Sequence, residues 1–221
     1  SSEFAGAPTI AIRGIISGDS SNPTVGVTVD DVPFGSATAR GGGAPELDPS
    51  DLARIEVLRG PQGTLYGAAN MGGLLKYVTA EPSTENRTGR IQAGLSNIHG
   101  GVRSGYDISG AINVPHGDVF AIRASGFMRQ EPGYIDNIRA PERGVNDAKA
   151  HGAHVSALWR PSELFSVKLN ALFQRNTLFG MPYVTVEPGL GDLQQSFLPR
   201  TGKLTRHLNA YSATATADLG R

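Results

Sequence analysis

Leu47-Asp48-Pro49-Ser50-Asp51-Leu52-Ala53-Arg54-Ile55-Glu56-Val57-Leu58-Arg59-Gly60-Pro61-Gln62-Gly63-Thr64-Leu65-Tyr66-Gly67-Ala68-Ala69-Asn70-Met71-Gly72-Gly73 is the stretch on which the fold turns. Asp48 stands where an N-cap oxygen accepts backbone N–H groups, Pro49 suits a first helical position and Asp51 favours the positive helix end, so a short helix opens here. A strand follows over residues 55–58, and Gly60-Pro61 breaks it. Residues 64–66 read as a brief turn or helix, and residues 73–79 as the next strand. Upstream, the alternating β-branched segments 9–13 and 24–30 are two further strands. The connections 17–23 and 35–45, rich in Gly, Ser and Asn, are loops. Short strands and a short helix in this order predict a compact α+β unit.

Downstream of the polar stretch 81–86 the pattern changes. Segments of about ten residues alternate in polarity: 90–97, 106–114, 120–128, 151–159, 165–173 and 209–219. In the fifth, Phe165, Val167, Leu169, Ala171 and Phe173 share one face and Ser166, Lys168 and Asn170 the other. Phe127 breaks the alternation of the third. The connections at 115–118 and 161–163 are tight, whereas 129–149 and 176–206 are long and polar. Strands of this length, short turns at one end and long loops at the other describe a membrane-spanning barrel whose apolar face meets lipid. A soluble sandwich also alternates; Tyr106, Trp159, Phe165 and Phe173 near strand ends favour the membrane girdle.

Charge and composition agree with this division. The 221 residues carry 20 Lys+Arg and 20 Asp+Glu, a net charge of zero, which argues against bulk attraction to nucleic acid. The sum hides two opposed halves, −5 over residues 1–86 and +5 over 87–221. There is no Cys, hence no disulfide, thiolate metal site or cysteine nucleophile. The 29 Gly and 14 Pro call for many turns. No run of about 18 apolar residues would make a spanning helix, and Ser1-Ser2-Glu3-Phe4 lacks the basic and apolar regions of a signal peptide.

The 47–73 stretch resembles the plug-domain signature of TonB-dependent outer-membrane receptors of the siderophore-receptor type. Ile12-Arg13-Gly14 and Val29-Asp30-Asp31-Val32-Pro33 fit the preceding plug strands, and Val78-Thr79-Ala80-Glu81-Pro82 fits the exit into the barrel. Asp31 stands where Gly is commoner in the family, and Leu75-Lys76 where Ile-Asn is commoner, which leaves the subfamily open. The resemblance implies an α+β plug domain (1–86) followed by antiparallel transmembrane β-barrel strands (87–221), about six of roughly 22. It implies a fragment that lacks the front of the plug, where the family carries its TonB-contacting segment. The implied function is import of a scarce solute across the bacterial outer membrane by energised plug rearrangement, with a ferric siderophore or other iron complex as the leading cargo. Cobalamin, haem or an oligosaccharide, or a passive porin-like channel, are the alternatives. The implied partners are the TonB energy-transducing protein, a small-molecule ligand of metal-chelate type and outer-membrane lipid; no nucleic acid, cofactor or catalytic residue is implied.

Several residues carry specific expectations. Glu56 and Arg59 resemble family charges that lock the plug to the barrel wall; the alternative is that they are solvated or paired within the plug. For ligand contact the outward plug loops supply Asp19, Ser20, Ser21, Asn22, Phe34 and Arg40. An Arg beside Gly41-Gly42-Gly43 suits a carboxylate or catecholate-type anion, against the alternative of an exposed charge on a loop. Tyr134, Arg139 and Arg143 in the long barrel loops are weaker candidates. His151 and His154, three apart on a strand, face opposite ways and cannot chelate one metal. Asp30-Asp31 likewise make a poor acid/base dyad. No nucleophile elbow, zinc-protease motif or Gly-Lys-Ser/Thr follows, so no enzyme is expected. Asn86-Arg87-Thr88 fits a glycosylation sequon by chance.

Overall fold

The computed structural model describes residues 10–12, 15–16, 24–30, 32–34, 47–66, 70–139, 142–199 and 201–220, in two compact units, Ser1–Glu81 and Pro82–Arg221. In the first, β1 (Ala11–Ile12) and β2 (Ile15–Ile16) form a small antiparallel pair. The strands β3 (Val25–Val29), β4 (Val32–Phe34), β5 (Leu52–Arg59) and β6 (Gly73–Thr79) form a sheet in the order β4-β3-β6-β5. β3 and β6 run parallel at its centre, and the outer pairings are antiparallel. A central parallel pair is covered on both faces, and Val25, Val27, Val29 and Leu74 are accordingly buried, with Leu47 and Tyr77 completing the core. Of the expected first strand, Ala11 and Ile12 pair with Ile16 and Ile15, and Thr9 and Arg13 lie outside the described residues.

The 47–73 stretch folds largely as its chemistry requires. Asp48 Oδ1 accepts the N–H of Ser50 at 2.9 Å and caps a single 3₁₀ turn, Pro49–Asp51. The turn goes no further because Leu52 is already extended and opens β5. β5 is thus longer than the expected 55–58. The helix α1 (Gly63–Tyr66) lies in the connection to β6, which is closed by backbone bonds from Gly60 N to Gly72 O (3.3 Å) and from Gln62 N to Asn70 O (3.0 Å). Gly73 sits at φ +144°, and a Cβ there would strike the carbonyl of Leu58, so this position admits only glycine.

The second unit is a six-stranded antiparallel meander in the order β14-β12-β11-β9-β8-β7. Its strands are β7 (Thr88–Ser96), β8 (Gly105–His116), β9 (Phe120–Glu131), β11 (Ala148–Ser162), β12 (Phe165–Leu178) and β14 (Leu204–Ala217). Two further segments, β10 (Asp136–Asn137) and β13 (Gln194–Gln195), pair parallel to each other inside the long connections. All six expected strands are present, and most extend beyond the apolar belt. Pro115 and Pro161 therefore lie at the ends of β8 and β11 rather than in the turns.

Register places one apolar face across the whole sheet. It carries Ile91 and Leu95, then Ile108, Ile112 and Val114, then Ile122 and Met128, then Val155 and Trp159, then Leu169 and Phe173, and Tyr211, all exposed. The opposite face buries Asn113, His154, Ser156 and Gln174. Along β12 the apolar positions run from Phe165 to Phe173, about 26 Å at ~3.3 Å per residue. Allowing for strand tilt, this spans most of the roughly 25 Å band of an outer-membrane barrel. An edge-on aromatic pair closes each end of the belt: Trp159–Phe165 with centroids 6.0 Å apart, and Phe173–Tyr211 at 5.5 Å. Phe127, the exception to the alternation, lies on the polar face over Gly152, where a Cβ would collide with its ring. The missing side chain of Gly152 makes room for it.

Candidate functional site

The connections at the girdled end of the sheet that Phe173 and Tyr211 mark are built structures. Ile135, 1% exposed, is their apolar centre. Asn146 Oδ1 accepts the backbone N–H groups of Tyr134 (2.8 Å) and Ile135 (2.9 Å), and Val145 N donates to Ile135 O at 2.8 Å. Asn137 Nδ2 donates to Phe197 O at 3.0 Å, joining the 132–147 connection to the 179–199 connection beside the β10–β13 pair. Asp136 uses one carboxylate oxygen to accept Gly144 N (2.9 Å) and the other to face Arg143 Nε at 3.5 Å. The 97–104 connection joins them through Val102 N to Gly133 O (3.2 Å) and Arg103 Nη2 to Asp147 Oδ2 (3.1 Å). These bonds fix a platform that leaves Ile138, Val184, Val186 and Leu198 exposed.

Of the barrel-loop candidates, Arg143 is spent in part on Asp136, Tyr134 is anchored by its backbone, and Arg139 is exposed with its N–H on Asn137 Oδ1. Among the plug candidates only Phe34 falls on described residues. It ends β4, half-buried, opposite Val27. Asp19, Ser20, Ser21, Asn22 and Arg40 lie outside the described residues. Glu56 and Arg59 stand on β5, the outer strand of the plug sheet; Glu56 faces Lys76 across the ladder and its Oε1 accepts Arg54 Nε at 2.6 Å. Arg59 is exposed opposite Gly73.

His151 and His154 do take opposite faces, the first exposed beside Met128 and Arg175, the second buried between Ser125 and Leu172. No cluster of three metal-ligating side chains occurs among the described residues. Two positioning residues were missed by sequence reasoning. Asn113 accepts Ser83 N (2.9 Å) and donates to Ser83 O (2.8 Å) and Asn86 O (2.7 Å), fixing the segment that enters β7. Asp30, at φ 52°, accepts both Thr79 N and Thr79 Oγ1 at 3.0 Å, tying the β3–β4 turn to the end of β6. The only available signal was their polarity within strands or at a strand end.

A small mixed sheet joined to a sheet with its apolar side outward defines the plug-and-barrel class of outer-membrane proteins. Residues 1–74 match the family model described as the TonB-dependent Receptor Plug Domain. The chain is 40% identical over 105 residues to the pesticin receptor of Yersinia pestis, covering 47% of this chain and 14% of that protein. It is 27% identical over 196 residues to the ferrioxamine receptor of Yersinia enterocolitica, 87% and 24% respectively. The crystal structure of the ferric yersiniabactin uptake receptor from Yersinia pestis superposes with a TM-score of 0.81 at 21% identity, over 98% of this chain and 33% of that one. Residues 1–74 thus carry a TonB-dependent receptor plug domain, and the chain spans 14–24% of the length of these two curated relatives.

Proposed function

We propose that the whole receptor imports a ferric siderophore or another iron complex across the outer membrane by TonB-energised rearrangement of its plug. The observation that carries this reading is the covalent continuity of a plug-type sheet with barrel strands whose buried side is polar. A channel filled by its own folded domain needs an external source of energy to open, whereas a passive porin needs none. The names ferrioxamine receptor and ferric yersiniabactin uptake receptor support an iron chelate, while relatives named as a vitamin B12 transporter and a hemin receptor keep cobalamin and haem as the alternatives. The plug positions Asp19, Ser20, Ser21, Asn22, Phe34 and Arg40 are assigned to ligand contact, and the platform around Ile135 is a separate candidate surface. No catalytic step belongs to this reading.

The functional division we adopt is plug over residues 1–86 and barrel from 87 onward, supported by the change of pattern at that point. Glu56 and Arg59 are assigned to plug locking, because they project from the outermost strand of the plug sheet. The test is uptake of an iron-loaded chelate by cells whose own receptors are deleted. Full-length protein restores uptake when TonB is present and fails without it; uptake that persisted without TonB would sink the proposal. Reversing both charges, Glu56→Arg with Arg59→Glu, is expected to raise the ion conductance of the receptor in planar bilayers. Unchanged conductance would return the pair to the plug's own surface.

A further inference from the structure

We propose that the outward face just beyond the Phe173–Tyr211 girdle binds the phosphorylated headgroup of a lipid in the surrounding leaflet. His151, Arg175 and His207 are direct cross-strand neighbours on β11, β12 and β14, and all three are exposed. One step further along the same face stands Lys149, opposite Thr177, and beyond it Lys203. The ammonium groups of Lys149 and Lys203 each lie 5.4 Å from the centroid of one ring, Phe179. Two like charges held against one ring repel each other, and the arrangement is relieved by an anion between them. The three rows cover about 10 Å across the strands and about 14 Å along them.

Among the described residues, the carboxylates on the adjoining strand ends are already engaged. On the β9 side the outward neighbours are Met128 and Gln130. Asp147 is engaged by Arg103 at 3.1 Å, and Glu131 accepts Arg129 Nε at 3.2 Å. Depth explains why basic side chains are tolerated here. On a lipid-facing strand Arg or Lys is costly at the bilayer midplane but nearly free at the interface, and this patch begins where the apolar belt of β12 ends, at Phe173. The patch continues the hydrocarbon-facing side of the sheet, so a lipid already seated against Phe173 and Tyr211 places its headgroup among these donors. An imported solute travels on the other face. The proposal rests on the barrel orientation and not on the identity of the cargo.

Native mass spectrometry of the full-length receptor in detergent, titrated with dioleoyl phosphatidic acid and with dioleoyl phosphatidylcholine, tests it. The wild type should retain the phosphatidic acid in preference to the zwitterion. Lys149→Gln/Arg175→Gln/Lys203→Gln should weaken that binding on the order of 100-fold, while Lys149→Arg/Arg175→Lys/Lys203→Arg keeps it. Equal retention by the wild type and the glutamine variant overturns the proposal. Displacement by millimolar inorganic phosphate also overturns it, since the site would then serve a free anion. Should the glutamine variant not fold, wild-type binding at 0.5 M salt decides: loss of the lipid is expected, and retention refutes an electrostatic headgroup site.

Discussion

The plug sheet encloses its apolar side chains within protein, and the barrel sheet turns them outward. In the plug, Val25, Val27 and Val29 on one face and Leu74 on the other are enclosed, while Ile55, Val57 and Arg59 of the outer strand β5 are exposed. In the barrel sheet the enclosed side carries Asn113, His154, Ser156 and Gln174, and the exposed side carries Ile91, Leu95, Leu169 and Tyr211. The difference lies in the solvent. Alternation requires only two environments, and water on one side with protein on the other satisfies it as well as lipid with a polar lumen. Exposure therefore changes meaning between the two units: Ile55 and Leu169 are each 51% exposed, yet only Leu169 lies in a hydrocarbon belt.

The largest effect expected from this contrast is in the plug core. Leu74→Ala, at 1% exposure, should cost about 2–5 kcal/mol, read as a lower urea midpoint for plug unfolding with the barrel transition unmoved. A common shift of both transitions would show that the two units do not unfold independently. Next, Leu169→Arg should destabilise the receptor in a bilayer by about 2–4 kcal/mol, while Ile55→Arg at the same exposure stays near the ~0.5 kcal/mol of a surface change. Equal costs would abolish the distinction between the two solvents. Asn113→Ala removes three hydrogen bonds from a site 1% exposed and strands the carbonyls of Ser83 and Asn86. A loss of about 1–3 kcal/mol should appear with faster amide exchange at residues 83–86. Gly152→Ala should cost a similar amount, about 1–3 kcal/mol from overpacking, recovered in part when Phe127→Leu is added, the carbonyl of Phe173 remaining close. A double variant no better than the single one would place the clash elsewhere.

Much of this was legible in the chain. Residues 73–79 read as a strand to the residue, because Gly73 and Thr79 bound a run that is apolar but for Lys76. The six barrel strands were visible, but their far ends were not: past Phe173 the β12 sequence Gln174-Arg175-Asn176-Thr177 is polar on both faces, so alternation ceases while the ladder continues. β10 and β13 left no trace, since a two-residue parallel pair formed across 57 positions has no local pattern. Glu56 reads either as a lock to the barrel wall or as a charge paired within the plug, and its described ion pair is with Arg54 on its own strand. Phe127 broke the expected face pattern for a reason that resides in another strand, at Gly152.

The clasp formed by Asn113 has a mechanical meaning. Tension travelling down the backbone from Glu81 first meets the barrel sheet at Ser83, where three short hydrogen bonds from one side chain must yield before the pull can reach the first pairing of β7, Thr88 with that same Asn113. Force is thereby divided between the clasp and the strand behind it.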